Sequence, residues 1–330
     1  MSTSSCALPV SPPSVAEDDW ENQLLDWFSI LDIPISERIF NLGGLQYHLF
    51  SSVFPVANGR SCASHGRSEN RKIAAVKCIG EFVERRFMVD WFHHGHLPHG
   101  IPPGKLRTSN GWAAHRSREN ARMASWREAL ERHLLIKSYL NFGWAGFRLV
   151  ETMSTDDLTL FFLISRFVAD AHVAGLVVAK SPLYLGVSLG QCIGLRSDIQ
   201  ASHFWESAIF EAVDKIQALN GQPIDLLSGT STWITSEIKK HLESPFDLRQ
   251  LFIGESGGSI HEPAPKSQSL AFDLQSCWKL TFPLYAAYTW GGDLIPLFNE
   301  SHLGPKEEEY VRRVLRDHGL ESAQLEHPIL

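Results

Sequence analysis

The sequence predicts an α/β (α+β) fold in which a strand–loop–helix unit is repeated within one large domain. Two helical segments end in the same pattern, Glu-x-x-Glu-Arg, at Glu81–Arg85 and Glu128–Arg132. Each follows a loop of small polar residues, and strand-like runs rich in β-branched and aromatic residues occur along the chain. A chain of 330 residues can bury such a core, and no break in composition marks a second domain.

Composition and charge exclude several classes of protein. The net charge of -7 argues against a general nucleic-acid binder, and five scattered cysteines without Cys-x-x-Cys spacing argue against a structural zinc site. They also favour a reducing compartment. No apolar run is long enough to span a bilayer, and the N-terminus lacks the pattern of a signal peptide. These features predict a cytoplasmic protein with no nucleic-acid or membrane partner.

The first part of the chain is predicted to pass from a tail to a helix and then to strands. Residues 1–20 are expected to form a flexible tail before a single domain over 21–330, because the first residues are rich in Ser and Pro. Apolar residues at helical spacing predict a helix over 20–33. Residues 39–56 read as strands, with a turn at Gly43-Gly44.

Two loop-and-helix units follow. A polar loop over 58–68 precedes the first acidic helix, expected over 69–90. Such a loop at a helix N-terminus suits an anion, because free amides and the helix dipole point at it. A second loop over 108–114 precedes a helix over 117–140, and the two acidic patterns lie 47 residues apart. The arrangement predicts an internal repeat.

A weaker third unit is predicted in the second half of the chain. Strand candidates over 158–167 and 174–179 lead through a loop containing Gly186, Gly190 and Gly194 to a helix over 197–219. A last strand-like run covers 280–290.

The repeated carboxylates predict a metal site. Residues three apart share one face of a helix, and carboxylate oxygens suit Mg²⁺. The predicted ligands are Glu81, Glu84, Glu128 and Glu131. One copy alone is better explained as an amphipathic helix with a solvated Glu/Arg face, whereas two matched copies favour the metal.

Three stretches together resemble one protein family. His65-Gly66 through Arg85 is similar to an ATP-binding helix with a preceding glycine loop, and Ser109-Asn110-Gly111 through Arg132 is similar to a later Asn-Gly-x-Ala-Ala loop with its helix. Residues 290–299 are similar to a Pro-Gly-Leu-x-Pro-x-Phe-Gly strand and turn. These are the motifs of the YcaO family, and the resemblance covers roughly residues 30–330.

The resemblance implies a YcaO-type fold around an ATP site, with Mg²⁺ held by the four glutamates. It implies ATP-dependent modification of a peptide backbone amide. A Cys, Ser or Thr side chain attacks the preceding amide carbonyl, ATP phosphorylates the resulting oxyanion, and elimination gives a thiazoline or oxazoline ring. Related members make thioamides or amidines, so these products stay open as alternatives to a cyclodehydratase.

The resemblance also implies further site residues. Arg132 is expected to contact a phosphate, and Lys72 is the expected phosphate-facing lysine, with Arg71 as its competitor. The remaining expected nucleotide-binding residues are Ser68, Asn110, Arg116, Glu119 and Asn120. His115, Arg116 and Asn120 replace a glycine, an amide and a glutamate of the family. The chain ends His327-Pro328-Ile329-Leu330, similar to the tails of azoline formers, which implies catalytic roles for His327, Pro328 and Leu330.

The implied partners are a precursor peptide and a separate leader-peptide-binding protein of the E1-like or ocin-ThiF-like kind. An FMN-dependent dehydrogenase could act afterwards, and a homodimer or hetero-complex is expected. The replaced loop residues keep a second function class open, a degenerate scaffold subunit of a modification complex. An ordinary acidic helical protein is a third possibility.

Overall fold

The computed structural model describes residues 17–42, 45–56, 61–93, 95, 98–107, 109–140, 148–149, 176–180, 185–189, 192–196, 266–296 and 303–320. These residues form helices and three antiparallel sheets. The predicted α+β class is therefore confirmed. The predicted strand over 158–167, the helix over 197–219 and most of the N-terminal tail lie outside the described residues.

The N-terminal part forms one helix and a three-stranded sheet, which we call sheet A. Helix α1 spans Glu17–Ile30, and the strands are β1 (Ile35–Leu42), β2 (Leu45–Pro55) and β3 (Ser61–Ser68), in the order β1–β2–β3. The hairpin predicted over 39–56 is confirmed, with β1 beginning four residues earlier.

The first helix is also confirmed, with shifted ends. It begins three residues before the predicted start, inside the expected tail, and it ends at Ile30 instead of reaching Pro34. Asp32 has a positive φ of 52°, so the chain leaves the helix in a turn. This turn directs the chain into β1.

The polar loop predicted over 58–68 is wrong over most of its length, because Ser61–Ser68 forms β3. The small residues of this strand serve close packing. Gly66 lies so near helix α2 (Arg71–His93) that a Cβ atom there would stand 2.0 Å from the carbonyl oxygen of Ala74. The glycine therefore lets β3 lie directly against the first acidic helix.

A second three-stranded sheet, sheet B, has the order β4–β10–β9. Its strands are β4 (Trp112–His115), β9 (Gln268–Asp273) and β10 (Tyr285–Trp290), and the short helix α4 (Leu274–Trp278) joins the last two. The loop predicted over 108–114 is wrong in its second half, because residues from Trp112 onward pair with β10. The predicted strand over 280–290 is confirmed only over its second half.

Helix α2 joins the two sheets. Its N-terminal half packs on sheet A, where Phe82 contacts Phe54 edge-on at 4.6 Å between ring centroids. Its C-terminal half packs on sheet B, where Phe87, Trp91 and Phe92 surround Trp112. Both halves belong to one buried aromatic cluster, which also includes side chains of α1. The main core is thus organised around α2.

Helix α3 (Arg118–Leu140) packs on sheet B, and Ser125 on this helix hydrogen-bonds Thr289 of β10. Near its C-terminal end a smaller core forms with α5 (Pro305–Asp317) and a 3₁₀ turn (Gly104–Leu106). Ile136 of α3 and Val311 of α5 are fully buried there. This second core fixes the end of the helix that carries the second acidic pattern.

Sheet C has the order β5–β6–β7–β8. Its strands are β5 (Arg148–Leu149), β6 (Leu176–Lys180), β7 (Leu185–Leu189) and β8 (Cys192–Arg196). The strand predicted over 174–179 is confirmed with a small shift. The predicted glycine loop is wrong at two of its glycines, which lie in β7 and β8.

None of the helices in the described part of the chain has the length and apolar character needed to cross a membrane.

Candidate functional site

The first acidic helix passes two strands that border different sheets. Strand β3 is the last strand of sheet A, and β4 is the first strand of sheet B. An edge strand has backbone N–H and C=O groups that the sheet itself does not bond. Helix α2 packs against both strands, and its glutamates reach both edges. We call the space bordered by these two edges and these glutamates the carboxylate cleft.

Glu81 and Arg85 bind the edge of β3. The carboxylate oxygen Oε2 of Glu81 accepts the backbone N–H of His65 at 2.5 Å, and its other oxygen forms an ion pair with Arg85. Arg85 donates from Nη1 to the carbonyl oxygen of Ala63 at 2.5 Å. Two adjacent polar groups on the β3 edge are thus satisfied by side chains one helical turn apart.

Glu84 binds the edge of β4. Its Oε1 accepts the backbone N–H of Ala114 at 2.9 Å. Burial raises the pKa of the Glu84 carboxyl well above its usual value, and the charges of Glu128 and Glu81 raise it further. The Ala114 N–H and the Arg85 charge act in the opposite direction but are outweighed. Carboxylates from both acidic helices are therefore close enough to repel one another.

Helix α3 brings Glu128 near the cleft, since the charge of Glu128 acts on Glu84. Ser117 precedes the helix, and its Oγ accepts the backbone N–H of Asn120 at 3.1 Å, which is the geometry of an N-cap. Glu128 lies about two turns after Asn120 and is partly buried. Glu131 follows after three residues, with only 5% of its surface exposed, and Arg132 is partly buried.

His65 borders the same edge. Its ring Nδ1 lies 3.2 Å from the hydroxyl of Ser51, whereas Nε2 is buried without a hydrogen-bond partner. Burial lowers the pKa of the His65 imidazole to about 4, and the charges of Arg85 and Arg67 contribute. The ring is therefore neutral at physiological pH.

The donor set suits a hard cation that keeps other ligands. Among the described residues no group of three or more His, Cys, Asp or Glu side chains is arranged as a ready-made metal centre. Mg²⁺ does not require such a centre, since it is commonly held by one or two carboxylates together with water and phosphate oxygens. A cation beside Glu84 would also relieve the repulsion that raises its pKa.

The structure does not bring Arg71 and Lys72 to these glutamates. Arg71 forms a bidentate ion pair with Glu37 on β1, and Lys72 pairs with Glu21 on α1. They lie at the first turn of α2, about 15 Å along the helix axis from Glu81. Asn70 accepts the N–H groups of Lys72 and Ile73, so its side chain satisfies amides that were expected to face an anion.

Ser68 also serves the start of α2, because its hydroxyl accepts the backbone N–H of Asn70 at 3.2 Å. It is the last residue of β3. Its contact is therefore with the helix cap and not with the glutamates.

The other predicted loop residues lie around β4. Asn110 precedes Gly111, whose φ is +79° and whose Cβ would stand 2.4 Å from the carbonyl oxygen of Thr289. Only glycine fits there, so the Asn-Gly pair fixes the entry to β4. Arg116 is partly buried between β4 and α3, whereas Glu119 and Asn120 are exposed in the first turn of α3. Glu119 is about 13 Å along the axis from Glu128.

The predicted tail residues His327, Pro328 and Leu330 lie outside the described residues. Their catalytic roles therefore stay predictions.

The site also contains groups that the sequence motifs did not identify. These are the backbone N–H groups of His65 and Ala114, the carbonyl of Ala63, and the side chain of Arg85 that joins them to Glu81. The arginine was visible as the last residue of the pattern. The backbone groups could be found only once β3 and β4 were known to be edge strands.

Three comparisons place the chain among known proteins. No family model matches the sequence, and no curated protein sequence matches it. Its fold is similar to that of a solved structure, YcaO from Methanopyrus kandleri bound with AMPPCP and Mg²⁺. The similarity has a TM-score of 0.50 and 12% sequence identity, and it covers 86% of this chain and 96% of that chain. The expected YcaO-like fold is thereby confirmed.

Proposed function

We propose that this chain is an ATP-dependent enzyme of the YcaO type that uses Mg²⁺ to modify a backbone amide of a peptide. The observation that carries the proposal is that Glu84 is buried within range of the charges of Glu128 and Glu81, which raise its pKa. Support for the nucleotide comes from the fold, since the similar archaeal protein binds AMPPCP, a non-hydrolysable relative of ATP, together with Mg²⁺.

Within this proposal the carboxylates hold the cation and the basic groups hold phosphate. Glu84 and Glu128 are the proposed primary ligands, because their charges already interact across the cleft. Glu81 would contribute its carboxylate beside Arg85, and Glu131 would support Glu128 from the same helix. Arg132 is the proposed phosphate contact, since a guanidinium can donate two parallel hydrogen bonds to phosphate oxygens.

The proposed chemistry is the removal of an amide oxygen. A nucleophilic side chain of the peptide adds to the preceding amide carbon and loses its proton. Mg-ATP supplies a phosphoryl group to the amide oxygen, which then leaves as phosphate while the amide nitrogen loses its proton and forms a C=N bond. The products are an azoline ring, ADP and phosphate. The contribution expected of this chain is to position the phosphates and neutralise their charge.

We further propose that the product is a thiazoline or oxazoline in a ribosomally synthesised peptide. The proposed partners are the precursor peptide and a separate protein that binds its leader. Thioamide and amidine formation need the same activated oxygen and differ only in the nucleophile. They are therefore alternatives within the same proposal.

A scaffold subunit without turnover is the second candidate function. It is favoured by the hydrogen bonds that Glu81 and Arg85 already make to the edge of β3, because these side chains have a structural role without any nucleotide. Exposure of Asn120, at the position where the family has a glutamate, points the same way.

The two candidates differ in how they bind nucleotide. We expect isothermal titration of the full chain with AMPPCP to show binding that requires Mg²⁺ and that Glu84→Gln weakens by about 100-fold, since a ligand charge is lost. Glu309→Gln is the matched control, because this exposed glutamate lies on α5. Equal Mg-AMPPCP affinity in wild type and Glu84→Gln would remove the support for the metal assignment.

The product is tested separately by mass spectrometry. The chain is co-expressed with a candidate precursor peptide, with and without its candidate leader-binding partner. The loss of one water per modified residue indicates an azoline, and exchange of oxygen for sulfur indicates a thioamide. An unmodified precursor despite Mg-dependent binding of AMPPCP would favour the scaffold.

A further inference from the structure

A groove with a volume of about 780 Å³ lies on the side of α2 that faces away from the carboxylate cleft. Ala75 and Ile79 on α2 line it, and at 100° per residue Glu81 and Glu84 point about half a turn away from them. The remaining apolar lining includes Leu25, Phe28, Ile35 and Phe50. The groove is therefore separate from the proposed reaction site.

The β1 edge of sheet A runs past this groove, which Ile35 on β1 lines. The backbone carbonyl of Ala63 and the backbone N–H of His65 bond to side chains of α2, so the backbone groups of the odd-numbered residues of β3 point away from β2. In antiparallel strands the backbone groups of successive residues point alternately to one neighbouring strand and to the other side. The register of β3 with β2 therefore directs the odd-numbered residues of β2 towards β1. The register of β2 with β1 then directs the backbone N–H and C=O groups of Ile35, Glu37 and Ile39 away from β2, to the outer side of the sheet. No strand among the described residues pairs with this side of β1.

The side chains of the same three residues lie on the face of sheet A that carries α2. Glu37 and Ile35 stand opposite Phe50 and Ser52, which are buried on that face. Ile35 is 40% exposed and Ile39 is 59% exposed, which is unusual for β-branched residues in a strand. A row of outward amides thus coincides with uncovered apolar side chains and with the mouth of the groove.

Arg71 at the rim of the groove has hydrogen-bond donors that can bind an acidic group, although its charge is paired with Glu37. The side chain of Arg71 is 67% exposed and lies over the ring of Phe50. Its bonds to Glu37 use Nε and Nη2. A guanidinium has five N–H donors, so the Nη1 side can bind a second carboxylate.

We propose that the β1 edge and the groove bind an extended segment of a separate polypeptide as a fourth strand of sheet A. Only a polypeptide strand presents alternating donors and acceptors at the spacing of β1. An antiparallel segment would place one side chain opposite Ile35, at the groove, and the side chain two positions earlier opposite Glu37, beside Arg71. The expected segment therefore contains an apolar residue and, two positions before it, an acidic residue. The proposal does not require the carboxylate cleft to be catalytic.

The test uses the full chain and the fluorescein-labelled peptide Thr-Val-Thr-Asp-Thr-Leu-Thr in fluorescence anisotropy. A peptide of the same composition, Thr-Thr-Val-Leu-Asp-Thr-Thr, is the control, because adjacent residues of a strand point to opposite faces. Replacement of Asp by Lys in the first peptide is expected to weaken binding about threefold. In the Arg71→Gln variant this preference for Asp is expected to disappear.

The strand pairing is tested by Ile39→Pro, which removes one outward N–H, with Ile39→Ala as the matched variant that keeps it. Proline is tolerated on edge strands where the N–H faces solvent. We expect Ile39→Pro to weaken peptide binding about fivefold or more, and Ile39→Ala clearly less. Circular dichroism shows whether both variants are folded. If Ile39→Pro does not fold, Ser29→Trp, which fills the groove from an exposed position on α1, is expected to have the same effect.

Three results would overturn the proposal. The first is absence of binding at peptide concentrations of about 1 mM, and the second is equal binding of the two peptides of the same composition. The third is a dimer in analytical ultracentrifugation that Ile39→Pro dissociates, because a second copy of this chain would then occupy the edge. Loss of Mg-AMPPCP binding in Glu84→Gln leaves this proposal intact, so the two proposals fail separately.

Discussion

The two sides of α2 use their charges in different ways. On the cleft side, Glu81 and Glu84 accept hydrogen bonds from backbone N–H groups of two strand edges. On the groove side, Arg71 and Lys72 form ion pairs with carboxylates of β1 and α1. Both sets stabilise the packing of the same helix. Arg71, Lys72 and Glu81 each have a partner of opposite charge, whereas the Glu84 carboxyl is buried and the charges of Glu128 and Glu81 raise its pKa.

The difference shows where a ligand has most effect. The pKa of the Glu84 carboxyl is raised by burial and by neighbouring carboxylates. Ionising this carboxyl without a nearby cation therefore costs free energy. The ion pairs of Arg71 and Lys72 are partly exposed, and each cation already has one carboxylate partner. A cation is therefore expected to alter the cleft side strongly and the groove side hardly at all.

The largest effect on folding stability is expected where the cleft side of α2 packs on sheet A. Gly66→Ala would place a Cβ atom 2.0 Å from the carbonyl of Ala74 and 2.2 Å from the amide nitrogen of Cys78. Backbone atoms must move, so we expect the free energy of unfolding to fall by about 3 kcal/mol or more. Urea denaturation measures it. The matched control is Gly80→Ala inside α2, where a Cβ meets no atom within 4 Å and should stabilise by up to about 1 kcal/mol. A Gly66→Ala variant as stable as Gly80→Ala would disprove the close packing.

The second effect concerns pH. The pKa of His65 is about 4 in the folded chain and about 6.5 when unfolded, so the unfolded state binds more protons between these values. The contribution of His65 to folding stability is therefore complete above pH 6.5 and is lost as pH drops towards 4, by up to about 3 kcal/mol. We expect His65→Gln to flatten this acid limb in urea denaturation at pH 4.5 to 7, roughly the window between the two values. An unchanged limb would assign the acid sensitivity to other groups.

The third effect is a change in folding stability whose sign depends on whether Mg²⁺ and AMPPCP are present. Glu128→Gln removes a charge that raises the pKa of Glu84, so without Mg²⁺ we expect the variant to be more stable than wild type by about 1 kcal/mol. In wild type the Glu84 carboxyl stays protonated to higher pH when folded, so stability falls as pH rises from about 4.5 through the folded pKa. The variant should show a smaller fall.

With Mg²⁺ and AMPPCP the order should invert, because wild type gains stability by binding and Glu128→Gln gains less. Thermal denaturation with and without the two ligands measures both signs. Stabilisation of both proteins to the same extent would show that Glu128 does not contact the cation.

The smallest effect is expected on the groove side. Arg71→Gln breaks an exposed ion pair, which solvent screens, and should change folding stability little. It should leave the Mg-AMPPCP affinity unchanged, because Arg71 lies more than two turns from Glu81 on α2. Isothermal titration checks the affinity. A tenfold loss would restore the sequence-based expectation that this end of the helix contacts phosphate.

Much of the fold could be predicted from periodicity. The positions of α1, α2 and α3 and the hairpin of β1 and β2 follow from apolar spacing and the Gly43-Gly44 turn signal. Strands β3 and β4 were missed because their polar and small residues resemble loops. Their strand conformation is fixed by tertiary packing, at Gly66 against α2 and at Gly111 against β10.

For the candidate site, the sequence indicated which helices carry the carboxylates but not the partners of the basic residues. Carboxylates from α2 and α3 were expected to converge, and the repulsion between Glu84 and Glu128 agrees with this. The positions of Arg71 and Lys72 could not be predicted, because their partners Glu37 and Glu21 lie 34 and 51 residues away in the sequence. A loop motif indicates which residues stand near a helix start but not which neighbouring element pairs with them.

The length and packing of helix α2 determine the width of the carboxylate cleft. It is 23 residues long, about 34 Å, and its two halves are packed into different sheets by one continuous aromatic core. The edges of β3 and β4 are therefore held at a separation that the helix sets, with Glu81 and Glu84 at the junction. Because α2 packs on both sheets, the width of the opening is a built-in dimension of the scaffold. We expect the cleft to select its ligand by size before any side chain moves.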